Sequence, residues 1–148
     1  MGLKFGKVLH LGIVVRDLEK AVKIYEEELG IGPWKIESAS PFFDDKLVND
    51  GVGLNIRTAI FRGEGYEIEL CTPTGPGVFQ EGLDQHGPSL HHVKLESDAT
   101  YEEVVGMAER TSGRKPYLDV RWPDGKPLVA YADLLEETGL LLEIGADQ

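Results

Sequence analysis

Four side chains in the sequence have types and positions that could together bind a metal ion. His10 and Glu69 lie in the first half of the chain, and His92 and Glu143 lie in the second half. Two imidazole nitrogens and two carboxylate oxygens suit one divalent transition metal such as Zn, Ni, Co, Mn or Fe. An ion that prefers six ligands would keep positions open for water or for substrate oxygens. These residues therefore predict a metal site, provided that the fold brings them together.

The elements that must position these residues follow the same order in both halves. In the first half, the pattern predicts a helix with Asp17 at its N-cap, flanked by strands over 7–15, 34–40, 54–61 and 66–72. In the second half, Thr100 and Glu103 predict a capping box for a helix that ends near Gly113, with strands over 90–97, 117–121, 128–132 and 139–144. Each half is therefore predicted to be β-α-β-β-β, a repeat that buries one face by packing against its copy or another chain.

Side-chain parity within the strands selects the same four residues. Successive side chains of a strand point to opposite faces. In the first strand, Leu11, Ile13 and Val15 form the more uniformly apolar face, which we expect to carry the helix. The residues on the other face of each strand point away from the core. Two curved half-sheets could direct these residues into one cavity. Those residues are the four candidate ligands: His10, Glu69, His92 and Glu143.

Other readings of these strands stay open at this point. Taken singly, each candidate ligand could be an ordinary strand residue. His91 is the main competitor of His92, but it points to the opposite face, and the strand register favours His92. The single cysteine, Cys71, is interpreted as a small strand residue. Three charged residues could share the cavity face or belong to a solvated, paired strand face: Glu67, Lys94 and Glu96.

Length, composition and charge narrow the class of protein. A chain of 148 residues with 41% apolar residues predicts one globular domain with a real core. The net charge of −11 argues against nucleic acid or an anionic membrane as a partner. No apolar run approaches the roughly 20 residues that span a bilayer. We expect a cytoplasmic protein with a small-molecule substrate, a loop over 41–50, and a linker over 73–88 that holds a short helix near 79–85.

Four segments that contain these residues resemble the vicinal oxygen chelate, or glyoxalase/bleomycin resistance/dioxygenase, superfamily. They are HLGIVVRDLEKAVKIYEEELG at 10–30, IELCTP at 68–73, LHHVKLES at 90–97 and LLLEIG at 140–145. The resemblance implies one α+β domain over 1–148, with two repeated βαβββ modules, about 5–74 and about 88–146, that form an incomplete barrel around the metal. It also implies a homodimer and the ligand set His10, Glu69, His92 and Glu143.

The resemblance also implies a class of chemistry. The first half is similar to methylmalonyl-CoA epimerases, glyoxalase I (lactoylglutathione lyase) shares the ligand set, and the second half is closer to the broad glyoxalase-like branch. We therefore expect an isomerase or lyase that acts through a metal-stabilised enolate on an acyl-CoA or 2-oxo substrate, with Glu143 or Glu69 as the base. The alternatives are an Fe(II)-dependent ring-cleaving dioxygenase and a metal-free small-molecule binding or resistance protein.

Overall fold

The computed structural model describes residues 2–37 and 54–145. Within these ranges the fold is mixed α+β, with an eight-stranded sheet and four helices, which confirms the predicted fold class. The elements, in chain order, are β1 (Phe5–Val14), α1 (Leu18–Glu27), β2 (Lys35–Glu37), β3 (Leu54–Arg62), β4 (Glu67–Gly77), α2 (Val78–His86), β5 (Ser89–Ser97), α3 (Tyr101–Ser112), β6 (Leu118–Arg121), β7 (Pro127–Leu134), α4 (Leu135–Thr138) and β8 (Leu140–Gly145).

The predicted β-α-β-β-β order occurs twice, with α2 between the repeats and α4 before the last strand. The predicted loop over 41–50 and the end of the predicted second strand, 38–40, lie outside the described residues. Across the described ranges, no helix combines the length and the apolar character that crossing a bilayer requires.

The chain divides into two compact units. We name them by their main helices. The described part of the α1 unit comprises residues 10–37 and 54–91, and that of the α3 unit comprises residues 2–9 and 92–145. The statement that all 148 residues form a single domain stays a prediction.

The α1 unit has its helix on one face of its strands. These strands are hydrogen-bonded in the order β2-β3-β4-β1, with β1 and β4 parallel and the other neighbours antiparallel. Asp17 caps α1 as predicted, because its side chain accepts a hydrogen bond from the Lys20 backbone N–H at 3.1 Å. Ile13 and Val15 of the predicted apolar face pack against a core of buried residues from α1, β3 and β4: Leu18, Val22, Ala59, Ile68 and Leu70.

The α3 unit repeats this plan with a different set of contacts. Its strands are hydrogen-bonded in the order β5-β8-β7-β6, and β5 and β8 are parallel. Thr100 and Glu103 form the predicted capping box, and Gly113 ends α3 in the left-handed conformation with φ 73°. The helix packs against β7 and β8 through a core that includes Val104, Ala108, Ala130, Leu142 and Ile144.

Two parts of the predicted layout were wrong. The segment 73–88 is not a linker, because β4 continues to Gly77 and α2 follows directly. A register shift in the β3–β4 ladder accommodates the prolines of this extension, and buried Val78, Phe79 and Leu83 give α2 an apolar face. The short helix predicted near 79–85 is confirmed. The helix α4 was not predicted, because four residues are too few to show a helical period.

Candidate metal centre

His10 meets two carboxylates across the β1–β4 ladder. Its side chain is buried, and the parallel register places His10 opposite Glu67 and Gly12 opposite Glu69. The Nδ1 atom of His10 lies 3.7 Å from Glu67 Oε2, and Nε2 lies 3.6 Å from Glu69 Oε1. Because Gly12 has no side chain, Glu69 can approach His10 diagonally across the ladder. The α1 unit therefore brings its predicted histidine and glutamate together.

Glu69 has a second neighbour on its own strand. Cys71 lies two residues further on the same face of β4, is fully buried, and places Sγ 3.1 Å from Glu69 Oε1. The thiol donates to the carboxylate, whose side chain is only 13% exposed. The interpretation of Cys71 as a small strand residue is confirmed, and its contact with Glu69 restricts how that carboxylate can turn.

The α3 unit presents its histidine in an aromatic setting. His92 is 1% exposed and stacks on Tyr131 of β7, with ring centroids 4.6 Å apart and an interplanar angle of 21°. The register of β8 places Glu143 opposite Tyr131 on one side and opposite Lys94 on the other. Packing against Tyr131 fixes the plane of the His92 ring.

Three of the four predicted ligands form a group that could hold a metal ion. One ligand atom from each of His10, His92 and Glu143 lies within 4.8 Å of the other two. Among the His, Cys, Asp and Glu residues of the described ranges, these three meet the spacing that a shared metal ion requires. Two imidazoles and one carboxylate suit a divalent transition metal and leave positions open for other ligands. Glu69 lies outside this group but next to His10, and its role as a fourth ligand stays a prediction.

The sequence also matches a known protein family. The sequence profile of the Glyoxalase/Bleomycin resistance protein/Dioxygenase superfamily matches residues 9–113. The chain belongs to this superfamily. The resemblance inferred from its four segments is thereby confirmed. No curated protein sequence matches this glyoxalase-superfamily chain.

Solved structures of methylmalonyl-CoA epimerases share the fold of this glyoxalase-superfamily chain. The Mycobacterium tuberculosis epimerase is 21% identical with a TM-score of 0.64, covering 98% of this chain and 89% of its own. A Streptomyces coelicolor epimerase variant in complex with 2-nitronate-propionyl-CoA is 18% identical with a TM-score of 0.63, covering 95% and 93%. An epimerase in complex with methylmalonyl-CoA and NH4+ gives the same four values. At these identities the similarity shows the fold.

His91 precedes His92 in β5 and lies in a different environment from it. Its ring stacks on Phe79 of α2 at a centroid distance of 4.7 Å, and a Cβ at Gly82 would lie 3.1 Å from it. Burial lowers the pKa of His91 to about 4, although the Val78 carbonyl and the charge of Glu69 act in the opposite direction. The group of three contains His92 and not His91, as the strand register favoured.

Sequence reasoning did not identify the neighbours that hold these side chains. Glu67 was weighed as a strand-face residue without its contact to His10, and Tyr131 was placed in a strand without its stacking on His92. The available signal for Glu67 was its parity with Glu69. The contact of Tyr131 depends on strand register, which one sequence does not give.

Proposed function

We propose that this protein is a metal-dependent isomerase of the glyoxalase superfamily that acts through an enolate on an acyl-CoA or 2-oxo substrate. The observation that carries the proposal is the group of His10, His92 and Glu143, with Glu69 at its edge. The epimerase-like fold supports an isomerase rather than another reaction of the superfamily. A lactoylglutathione lyase-type reaction uses the same proton chemistry and belongs to the same proposal.

The proposed reaction needs charge stabilisation and a base. A divalent ion held by His10, His92 and Glu143 would stabilise the negative charge that develops on a substrate carbonyl oxygen. A carboxylate then accepts the proton from the carbon beside the carbonyl. Glu69 and Glu143 are the candidates, and Glu69 lies beside His10 without being one of the group of three.

Two measurements on the same variants test the proposal. The first is the metal content of the protein purified without chelator. The second is the uptake of deuterium beside the carbonyl when acyl-CoA and 2-oxo compounds are incubated with the protein in heavy water. We expect Glu143→Gln to lose metal and exchange together. We expect Glu69→Gln to keep metal and lose exchange by about 100-fold or more if Glu69 is the base.

The matched control is Glu37→Gln, a strand glutamate of the α1 unit paired with Lys35, which should keep both properties. A metal-loaded wild-type protein that exchanges no proton with any candidate substrate contradicts the proposal. A protein that takes up no metal but binds small molecules supports the metal-free binding function instead. The predicted homodimer is part of the proposal, and sedimentation velocity measures it on the same samples.

A ring-cleaving dioxygenase is the second candidate function. Two histidines and one carboxylate with open positions are the ligand set of non-haem Fe(II) oxygenases, and the group of three has this composition. Glu69 beside His10 speaks against it, because a fourth protein ligand would occupy a position that oxygen needs. Iron analysis together with oxygen uptake in the presence of catechols distinguishes the two reactions, since an isomerase consumes no oxygen.

A further inference from the structure

A row of three side chains crosses neighbouring strands of the α1 unit and ends at His10. Arg62 on β3 lies opposite Glu67 on β4, and Glu67 lies opposite His10 on β1. The guanidinium Nε of Arg62 donates to Glu67 Oε1 at 3.2 Å, and Glu67 Oε2 lies 3.7 Å from His10 Nδ1. Each oxygen of the Glu67 carboxylate therefore has its own partner, one cation and one imidazole.

We propose that Glu67, oriented by Arg62, is a positioning residue that keeps the proton of His10 on Nδ1 and so presents Nε2 as the metal-binding atom. This inference rests on the proposed metal site. A neutral imidazole carries one N–H and one lone pair, and the hydrogen bond of one nitrogen decides which atom is left to bind a metal. An acceptor-only carboxylate at Nδ1 selects the tautomer with its proton there.

The other nitrogen of the ring also faces a carboxylate, because His10 Nε2 lies 3.6 Å from Glu69 Oε1. That oxygen already accepts a hydrogen bond from the Cys71 thiol at 3.1 Å, whereas Arg62 binds the Glu67 oxygen that does not face His10, so Glu67 is the better acceptor for the His10 proton. Metal-binding histidines commonly donate their remaining N–H to a carboxylate, and such partners orient the ring and raise its basicity.

The separation of Glu67 from His10 is that of an ion pair rather than a direct hydrogen bond. The Glu67 side chain is 38% exposed, so it has freedom to move closer or to bridge through one water. Arg62 limits this freedom on the Oε1 side. We therefore expect the contact between Oε2 and Nδ1 to shorten when a metal binds the opposite nitrogen.

The experiment reads the tautomer of His10 and the affinity for zinc in the same set of variants. Long-range proton–nitrogen NMR correlations of chelator-treated protein, in mildly alkaline buffer, show which ring nitrogen carries the proton, and His10→Gln assigns the signals. Competition with a chromophoric chelator gives the zinc dissociation constant. The variants are Glu67→Ala, which removes the acceptor, Glu67→Gln, which removes only the charge, and Arg62→Gln.

We expect the wild-type protein to hold its proton on Nδ1 and Glu67→Ala to mix the two tautomers. Zinc affinity should fall about 10- to 100-fold in Glu67→Ala, less in Glu67→Gln, and least in Arg62→Gln. The control Glu37→Gln removes another strand glutamate that pairs with a cation, and it should change neither readout.

Three results would overturn the inference: a wild-type proton on Nε2, an unchanged tautomer and zinc affinity in Glu67→Ala, or an equal loss of affinity in Glu37→Gln. Thermal melting of each variant identifies a loss caused by unfolding. A wild-type protein that binds no zinc or other divalent metal contradicts the proposed function instead. The tautomer measurement then still decides the role of Glu67, because it uses metal-free protein.

Discussion

His10 and His92 occupy equivalent places in the two repeats, but their neighbours differ in kind. His10 has carboxylates on both ring nitrogens, at 3.7 Å and 3.6 Å. His92 is stacked on the ring of Tyr131. The glutamate of the neighbouring strand β8, Glu143, lies opposite Lys94 in the ladder rather than opposite His92. The two halves of the chain therefore repeat the order of their histidine and glutamate residues but not the interactions that orient the two histidines.

The two histidines should respond to different perturbations. An imidazole oriented by charged groups depends on those charges and on salt, whereas a stacked imidazole depends on the volume and shape of its neighbour. Three further changes test this comparison, and they are given from the largest expected effect to the smallest.

The partly buried histidine His91 shows what burial does when it outweighs attraction by a carboxylate. Its pKa of about 4 lies below the ordinary value of 6.5, so the folded protein favours the neutral ring. The free energy of unfolding that neutral His91 contributes is fully present above pH 6.5. It is lost as pH falls towards 4, because the unfolded chain binds a proton at a higher pH than the folded chain does. Urea unfolding of metal-free protein should show this loss as about 3 kcal/mol.

The variant His91→Gln keeps a donor but cannot titrate, so its unfolding free energy should fall less steeply over the same pH range. His86→Gln replaces an exposed histidine at the end of α2, the helix whose Phe79 stacks on His91, and should keep the wild-type profile. Parallel profiles for wild type and His91→Gln would show that burial of His91 is not the source of the slope.

Tyr131 tests the packing of the second histidine. Tyr131→Leu removes the ring on which His92 stacks, and Tyr131 is itself only 4% exposed. The unfolding free energy should fall by about 1–2 kcal/mol, from lost aromatic contact and imperfect filling of the space. Zinc affinity should weaken by a similar factor at low and at high salt, whereas the loss in Glu67→Ala should shrink as salt rises.

The exposed tyrosine Tyr66 provides the control for that change. Tyr66→Leu should alter the unfolding free energy by less than about 0.5 kcal/mol and leave zinc affinity unchanged, because the residue is 41% exposed. A salt-dependent loss in Tyr131→Leu would remove the distinction between the two histidines.

The helix starts give the smallest difference between the repeats. In α3, the Glu103 carboxylate accepts a hydrogen bond from the Thr100 backbone N–H. The equivalent position of α1 is Lys20, which only donates its backbone N–H to Asp17. Glu103→Ala should therefore cost about 0.5 kcal/mol of unfolding free energy, and Lys20→Ala close to none. Chemical denaturation measures both, and equal effects would mean that the capping box adds nothing to the single cap.

The elements of the fold could be predicted because local patterns specify them. Alternating strands, the cap at Asp17 and the capping box at Thr100 each depend on residues close in sequence. The extension of β4 to Gly77 could not be predicted, because prolines and glycines normally indicate a loop and only pairing with β3 overrides them. The four-residue α4 carries no period that a sequence pattern could show.

The candidate ligands could be predicted from parity, but their supporting residues could not. Parity assigns His10, His92 and Glu143 to the faces opposite the helices, and the structure brings them together. The row from Arg62 through Glu67 to His10 depends on the register of three strands, which only the folded chain sets. The contacts of Glu69 with His10 and Cys71 likewise depend on the folded strands rather than on a local pattern.

Gly12 on β1 matters for the space that its missing side chain leaves beside Glu69. The register places Gly12 opposite Glu69, and a side chain at position 12 would share the strand face of His10, which the Glu69 carboxylate approaches to 3.6 Å. The strands on either side are hydrogen-bonded throughout this stretch, and the Cys71 thiol holds the carboxylate from its own strand. The sheet thus supplies the frame for this contact, and the missing side chain of one glycine leaves the space beside it.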